Sequence, residues 1–378
     1  MATLDPDARL LSYLALVATG RGSDLFLLAQ APPTIKRKGE FFPISAPVLQ
    51  AHDIRTMADS LMSAAQQHEF DTTLECDFSY ALAHGECQGE RFRINVHRQR
   101  GQVGMVIRHV SASIATLDAL GMPPVLKDLA FLKGGLVLTV GAAGSGKTTT
   151  LASLLDHRNA NASGHILTIE DPIEYLHRHK KSLVTQREVG VDTRSYDEAL
   201  RRAMREAPNV IMIGEIRDRS TMQHALHYAE SGHLCVSTLH AHNANQAVQR
   251  ILNFFPEFAH QQLLMDLSLN LRAVLAQRLI KGVAGDLVLA TEVMLLTPYI
   301  ADLIQKGQID DLKTAIARSS EQGMCSFDQS LYRLVESGAI TAEQAIDHAD
   351  NRTDLSLKLR LAAGASLGAA GMSMQPDD

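Results

Sequence analysis

The segment that most restricts what this chain can fold into runs from Gly141 to Thr148 and reads GAAGSGKT. It follows LVLTV (Leu136 to Val140), a short apolar run, and precedes TTTLASLLDH, which has the pattern of an amphipathic helix. A strand, a glycine loop and a helix start in that order make an anion cradle. The unpaired N–H groups of the first helical turn and the positive end of the helix dipole converge there. Gly141, Gly144 and Gly146 let the backbone approach phosphate oxygens. Backbone groups of Ala142, Ala143, Ser145 and Thr149 belong to the same cradle. Lys147 is placed to reach the β- and γ-phosphates, and the Thr148 hydroxyl to ligate Mg²⁺. A glycine-rich turn that binds nothing is the alternative, and the uninterrupted match in its strand–loop–helix context leaves it little weight.

A chain of 378 residues has room for two or three domains. Residues 1–115 read as a small α/β domain. A helix leads into the strand DLFLLA, followed by a polar hairpin through Lys36 to Gly39. A second helix starts near Asp53 with Ile54, Met57, Ala58, Leu61, Met62 and Ala65 on one face. LECDFSYAL, RFRINVHRQ and GMVIRHV alternate as half-buried strands do. Residues 116–124 form a linker ending at Pro123-Pro124, and 125–297 alternate apolar strands with helices. LVLTV, HILTIE, NVIMIGE and HLCVSTLH are the expected parallel core strands. Residues 298–360 are helical, and 361–378 form an Ala/Gly/Ser-rich flexible tail.

The net charge of −6 argues against a nucleic-acid-binding field. The four cysteines (Cys76, Cys87, Cys235, Cys325) form no CxxC pair, so a four-cysteine zinc site is unsupported and reduced thiols in a cytosol are expected. The apolar run LLSYLALVA falls well short of the about 18 residues a membrane span needs. Asp5 and Asp7 stand where a secretory signal would carry basic residues.

Hydrolysis at a phosphate cradle also needs carboxylates for the metal and the water, and positive charge for the transition state. In open parallel sheets such groups lie at the carboxyl ends of strands. HILTI runs into Glu170-Asp171, NVIMI into Gly214-Glu215, and HLCVSTL into His240. Each could be a solvated strand end, but two acidic ends beside one phosphate loop favour a shared site.

With GAAGSGKTTT, TIEDPIEY, IGEIRD and SGHLCVSTLHAHNA in this order, the chain resembles the secretion ATPase superfamily that powers type IV pili and type II secretion. GSDLFLLAQAPPTIKRKGEFFPI and RFRINVHRQRGQVGMVIRHV resemble the opening domain of its retraction branch, so the likeness covers nearly the whole chain. The resemblance implies a PAS-like first domain, a RecA-like P-loop core with a mostly parallel sheet, and a helical C-terminal region. It implies ATP and Mg²⁺, with Lys147 and Thr148 on phosphate and metal. Glu170 falls on the water-polarising position, Glu215 on the carboxylate near Mg²⁺, and His233 and His240 on the two histidines of the His box. Which glutamate does which job is left open. It also implies a homo-hexameric ring whose ATP sites lie between subunits and are completed by arginines of the first domain. Arg91, Arg93 and Arg108 are the candidates, with an exposed strand face as the alternative. Arg201, Arg205 and Arg217 are alternative ion-pair partners within the core.

Extension and type II secretion relatives usually carry a long N-terminal domain and a four-cysteine zinc site, and neither is found here. YIADLIQKGQIDDLK (Tyr299 to Lys313) stands where PilT-type proteins carry a different C-terminal motif, so the chain resembles the PilU-type accessory retraction ATPases. Such a protein is expected to be cytoplasmic, peripheral at the inner-membrane pilus base, without a membrane span and without nucleic acid. Its expected partners are a PilT-type retraction ATPase and an inner-membrane pilus platform protein. An independent PilT-type motor, or a regulatory scaffold with weak ATPase, are the alternatives.

Overall fold

A computed structural model describes residues 7–37, 40–82, 90–110, 113–319 and 323–370, without the side chains of residues 21 and 363–370. Cys87, the hairpin tip at residues 38–39 and residues 371–378 lie outside the described residues. The chain divides into two compact units, residues 1–113 with 173–176, and residues 114–172 with 177–378.

In the first unit, helix α1 (Ala8–Leu16) starts at Asp7, whose carboxylate accepts from the Arg9 and Leu10 N–H groups. Strands β1 (Asp24–Leu27), β2 (Thr34–Arg37) and β3 (Glu40–Pro43) follow, then helices α2 (Ala51–Leu61) and α3 (Ala64–Thr73). Strands β4 (Glu75–Ala81), β5 (Arg91–Gln99) and β6 (Gln102–Val110) complete an antiparallel sheet of order β3-β2-β1-β6-β5-β4. Phe92, Ile94 and Val96 of β5 turn to the core, where Ile54, Met57 and Ala58 of α2 pack, and Arg93 takes the opposite face. The single helix expected to carry Leu61, Met62 and Ala65 on one face is in fact two helices. Ser63 accepts from the Gln66 N–H while the Gln66 side chain accepts from the Ser63 N–H, and this reciprocal cap starts α3 afresh.

The second unit opens with α4 (Val125–Leu129). The segment 116–124, expected as a linker, belongs to this unit: Leu117 and Met122 are buried in its core. Then come β7 (Gly135–Gly141), α5 (Lys147–Asn161), β8 (Gly164–Glu170), β9 (Ser182–Glu188), α6 (Tyr196–Ala203), β10 (Val210–Glu215), α7 (Arg219–Glu230), β11 (Leu234–Leu239), α8 (Ala244–Asn253), α9 (His260–Asn270), β12 (Leu271–Lys281) and β13 (Leu287–Leu295). Their sheet has the order β13-β12-β7-β11-β10-β8-β9; it is parallel except for β13, which runs antiparallel to β12. The four expected core strands lie side by side in it as β7, β11, β10 and β8. Every residue of β7 is buried, and its side chains alternate between two apolar clusters, Leu136, Leu138 and Val140 in one and Val137 in the other. A parallel sheet covered on both faces requires that apolar run. This is the RecA-like core.

After β13 come α10 (Pro298–Gln305), α11 (Leu312–Arg318), α12 (Phe327–Glu336), α13 (Ala342–His348) and α14 (Arg352–Ala370). Ile300, Leu312, Phe327, Leu331 and Leu355 share one apolar cluster with the sheet, so these helices extend the core. Residues 361–370, expected within a flexible tail, continue α14. Alanine, leucine and serine sustain the helix there despite the two glycines. No helix among the described residues is long and apolar enough to cross a membrane.

Candidate functional site

Strand order builds the site. Because β7, β11, β10 and β8 are parallel neighbours, their carboxyl ends share one edge of the sheet. Leu239 pairs with Val140 in register, and Glu215 with Thr238. The phosphate loop leaves β7 at that edge, His240 follows β11, Glu215 ends β10 and Glu170 ends β8. Gly146 starts α5 in the left-handed region (φ 88°), where a glycine costs least. A Cβ on Gly141 would collide with Ser145 Oγ and lie 2.7 Å from the Gln277 carbonyl oxygen, so only glycine fits the exit from β7.

Lys147 is 8 % exposed, and its ammonium donates to the carbonyls of Gly141 (3.1 Å) and Ala142 (2.8 Å), which hold it against the loop. The Ser145 hydroxyl is buried and has no hydrogen-bond partner among the described residues. An unpaired hydroxyl beside an ammonium at a helix N-terminus suits a bound polyphosphate. Beside Gly141 and Ala142 opens a cleft of about 280 Å³, lined further by His240, Ala241, His242, Gln246 and Arg250.

The two glutamates have different surroundings. Glu170 is 4 % exposed and accepts from Thr168 Oγ1 (2.6 Å) and Gln186 Nε2 (3.2 Å), which aim its carboxylate. Glu215 pairs with Arg217 and lies 3.3 Å from His240 Nε2. Thr238 Oγ1 holds the Gly214 carbonyl at 2.8 Å where the β10–β11 register shifts, and this turns Glu215 toward His240. Burial, and next the Lys147 ammonium, keep the His240 pKa below its usual value against the pull of Glu215. The ring is therefore mainly neutral near pH 7, with its Nε2 beside the Glu215 carboxylate. Tyr196, which the sequence did not single out, is half-buried near Asp171, Glu215 and Glu170. Burial and those carboxylates raise its pKa, so the phenol keeps its proton. Only its place at the start of α6, two strands from the phosphate loop in sequence, connects it to the site, and no motif marked it.

His233 is not at this edge. It precedes β11 at the opposite end from His240, beside the start of β7, where its backbone carbonyl accepts from the Gly135 N–H. A strand of this length separates the two histidines by roughly 20 Å, so the His box supplies one side chain to the site. Of the alternative arginines, Arg217 pairs with Glu215 and Arg201 with Asp197.

Within the first unit, Arg93 and Arg108 stand directly opposite each other on β5 and β6, and Asp24 stands opposite Arg108 on β1. Like charges in that position are destabilising unless compensated. Asp24, 5 % exposed, takes Arg108 Nε at 2.7 Å, so the outer edge of that guanidinium stays open. The two arginines, Asp24, Asp77, Asn95 and Val106 line a cavity of about 180 Å³.

No group of three or more His, Cys, Asp or Glu side chains among the described residues could hold a metal ion. Mg²⁺ keeps several waters and usually takes one or two protein ligands together with substrate phosphates. Thr148 lies in the first turn of α5 beside the phosphate loop and Glu215 ends β10 at the same edge, and both carry oxygen ligands.

Residues 91–327 match the family model for type II/IV secretion system protein. The chain is 48 % identical over 349 residues to the type IV pilus ATPase PilU of Pseudomonas aeruginosa, covering 92 % of this chain and 90 % of that protein. It is 40 % identical over 337 residues to the type IV pilus retraction ATPase PilT of the same organism, covering 89 % of this chain and 96 % of that one. Its fold superposes with a TM-score of 0.85 on the crystal structure of the pilus retraction motor PilT with bound ADP, at 37 % identity over 91 % of this chain and 98 % of the other.

Proposed function

The chain belongs to the type II/IV secretion system protein family, in its PilT/PilU-type pilus branch, and from that premise we propose that it is the accessory motor of type IV pilus retraction. It is an ATPase, and it binds nucleotide at the phosphate loop. The observation that carries the reading is the meeting of that loop with Glu170, Glu215 and His240 at one sheet edge.

Lys147 and the N–H groups of Gly144 to Thr149 take the β- and γ-phosphates. Glu170, aimed by Thr168 and Gln186, orients water toward the γ-phosphorus. As the water oxygen bonds to phosphorus and gives a proton to Glu170, the bond to the β,γ-bridging oxygen breaks, giving ADP and phosphate. His240 reports the γ-phosphate to Glu215 through the contact they share. Thr148 and Glu215 would hold Mg²⁺, which when bound supplies positive charge against the phosphates. Arg93 and Arg108 act on the ATP of a neighbouring copy in a homo-hexamer. The ring works at the cytoplasmic face of the inner membrane, on a pilus platform protein, together with a PilT-type motor.

The test is pilus retraction under load in piliated cells. Expressed without a PilT-type motor, the chain should give no robust retraction; with that motor present, it should raise the force at which retraction stalls. Robust retraction by this chain alone would replace the accessory role with that of an independent motor.

A further inference from the structure

Glu292 lies in β13, paired with Ala276 of β12 and flanked on its own face by Ala290 and Met294 of the main apolar cluster. It is 2 % exposed. A carboxylate in that position is costly and persists only where it has a partner. Its Oε1 accepts the backbone N–H of Ala244, the first residue of α8, at 2.8 Å. The N-cap side chain of that helix, Asn243, is already used by the Gln246 N–H. Immediately before Asn243, the loop residues His240, Ala241 and His242 line the cleft beside Gly141 and Ala142. The loop is therefore pinned at one end by the His240–Glu215 contact and at the other by Glu292.

We infer that Glu292 is a positioning residue for the nucleotide site: its charge grips the first N–H of α8 and so fixes the loop that carries His240. The inference rests on the nucleotide-site reading above.

Burial drives the Glu292 carboxyl up to about 7. The Ala244 N–H opposes this, as do Arg278 of β12 and Lys313 of α11, while Asp350, between α13 and α14, adds to the rise. A carboxyl raised in the folded state is bound to its proton more tightly there than in the unfolded chain. Its contribution to stability is complete at low pH and is lost as pH rises through about 7. Its grip on α8 runs the other way, since the charged form is the stronger acceptor and suits a helix N-terminus. The charged state of Glu292 thus favours the site at the expense of the fold.

The experiment measures ATP turnover and thermal unfolding of the full-length chain, with Mg²⁺, from about pH 6 to about pH 8.5. For the unaltered chain, kcat should fall as pH drops through about 7. Glu292→Gln keeps the shape and a neutral acceptor. Near pH 8 it should raise Tm, with the gain shrinking toward acid pH. It should also lower kcat by about tenfold, within the range that a displacement of ångström scale produces, with KM for ATP changed less. The break near neutral pH should disappear. Lys313→Met, at a half-exposed side chain outside the nucleotide site, removes a cation that favours the charged form and should move the break to higher pH. Wild-type turnover and pH profile in Glu292→Gln would overturn the inference. So would a joint loss of Tm and activity, which is what a purely structural cap would give. An unmoved break in Lys313→Met would count against it equally. Failure of the nucleotide-site reading is distinguishable, because the unaltered chain would then show no turnover at all.

Discussion

Lys147, Glu170 and Glu215 occupy one sheet edge, yet their surroundings give them separable effects. The Lys147 ammonium already sits against the loop carbonyls of Gly141 and Ala142, so a phosphate meets it without a search through rotamers. Its charge matters most as negative charge moves onto the departing phosphates. Lys147→Ala should therefore abolish ATP turnover and leave the melting temperature near that of the unaltered chain; near-normal kcat would sink the phosphate-loop assignment. In the proposed mechanism the glutamates act on water and metal rather than on the cradle. Glu170→Gln and Glu215→Gln should keep nucleotide binding, read by a fluorescent ATP analogue, while hydrolysis falls by about 10²-fold or more. Glu170→Gln should have the larger effect, because its carboxylate is buried and fixed by two donors. Glu215 shares its charge with Arg217. Normal hydrolysis in both variants would place the chemistry elsewhere.

At the scale of elements, the deciding question is which segments carry buried surface. Helix α14 buries Leu355 at its first turns, whereas Leu357 and Leu361 are exposed. Removal of residues 361–378 should therefore leave ATPase activity and ring assembly unchanged, although residues 361–370 are helical. A fall in either, measured by phosphate release and by size-exclusion chromatography, would show that the end of α14 has a docking role. The same elements show what the sequence could and could not reveal. The runs ending at Glu170, Glu215 and His240 were legible because a strand buried on both faces is written as an uninterrupted apolar run. Three other strands were not. β9 is an edge strand whose second half, Gln186-Arg187-Glu188, reads as loop. β12 follows Asn270 of α9 with no glycine or proline between them, so no punctuation marks the change from helix to strand. β13 pairs antiparallel with β12 after a turn at residues 282–286 and carries Glu292, which breaks its apolar pattern. Glu292 and Tyr196 were invisible as site residues for a related reason. Their nearness to the site depends on how the strands are ordered, and sequence spacing carries no trace of that.

At the scale of the whole molecule, the proposed catalytic groups divide between the two units. The second unit holds the phosphate loop, both glutamates and His240. Arg93 and Arg108 lie in the first unit, with like charges opposed across a strand pair and Asp24 holding one of them by Nε alone. That arrangement leaves guanidinium N–H groups open toward an anion. A head-to-tail ring, in which each copy's first unit serves the next copy's phosphate loop, would supply that anion and close on itself. The arrangement has a numerical consequence. A Lys147→Ala subunit has intact arginines but no working cradle. A subunit carrying Arg93→Ala and Arg108→Ala has an intact cradle but donates nothing to its neighbour. Each should be inactive as a homomer. In rings co-assembled at equal amounts, a site works when the cradle comes from the second kind and the arginines from the first. With random placement that is about one site in four, so turnover should recover to about a quarter of the unaltered value. If the arginines served the cradle of their own chain, no mixed ring would contain a complete site and recovery would be nil. Full activity of a monomer at every concentration would likewise rule out the shared site. Asp24→Asn in the subunit that supplies the arginines should reduce the recovery, because it weakens the ion pair that holds Arg108 by its Nε.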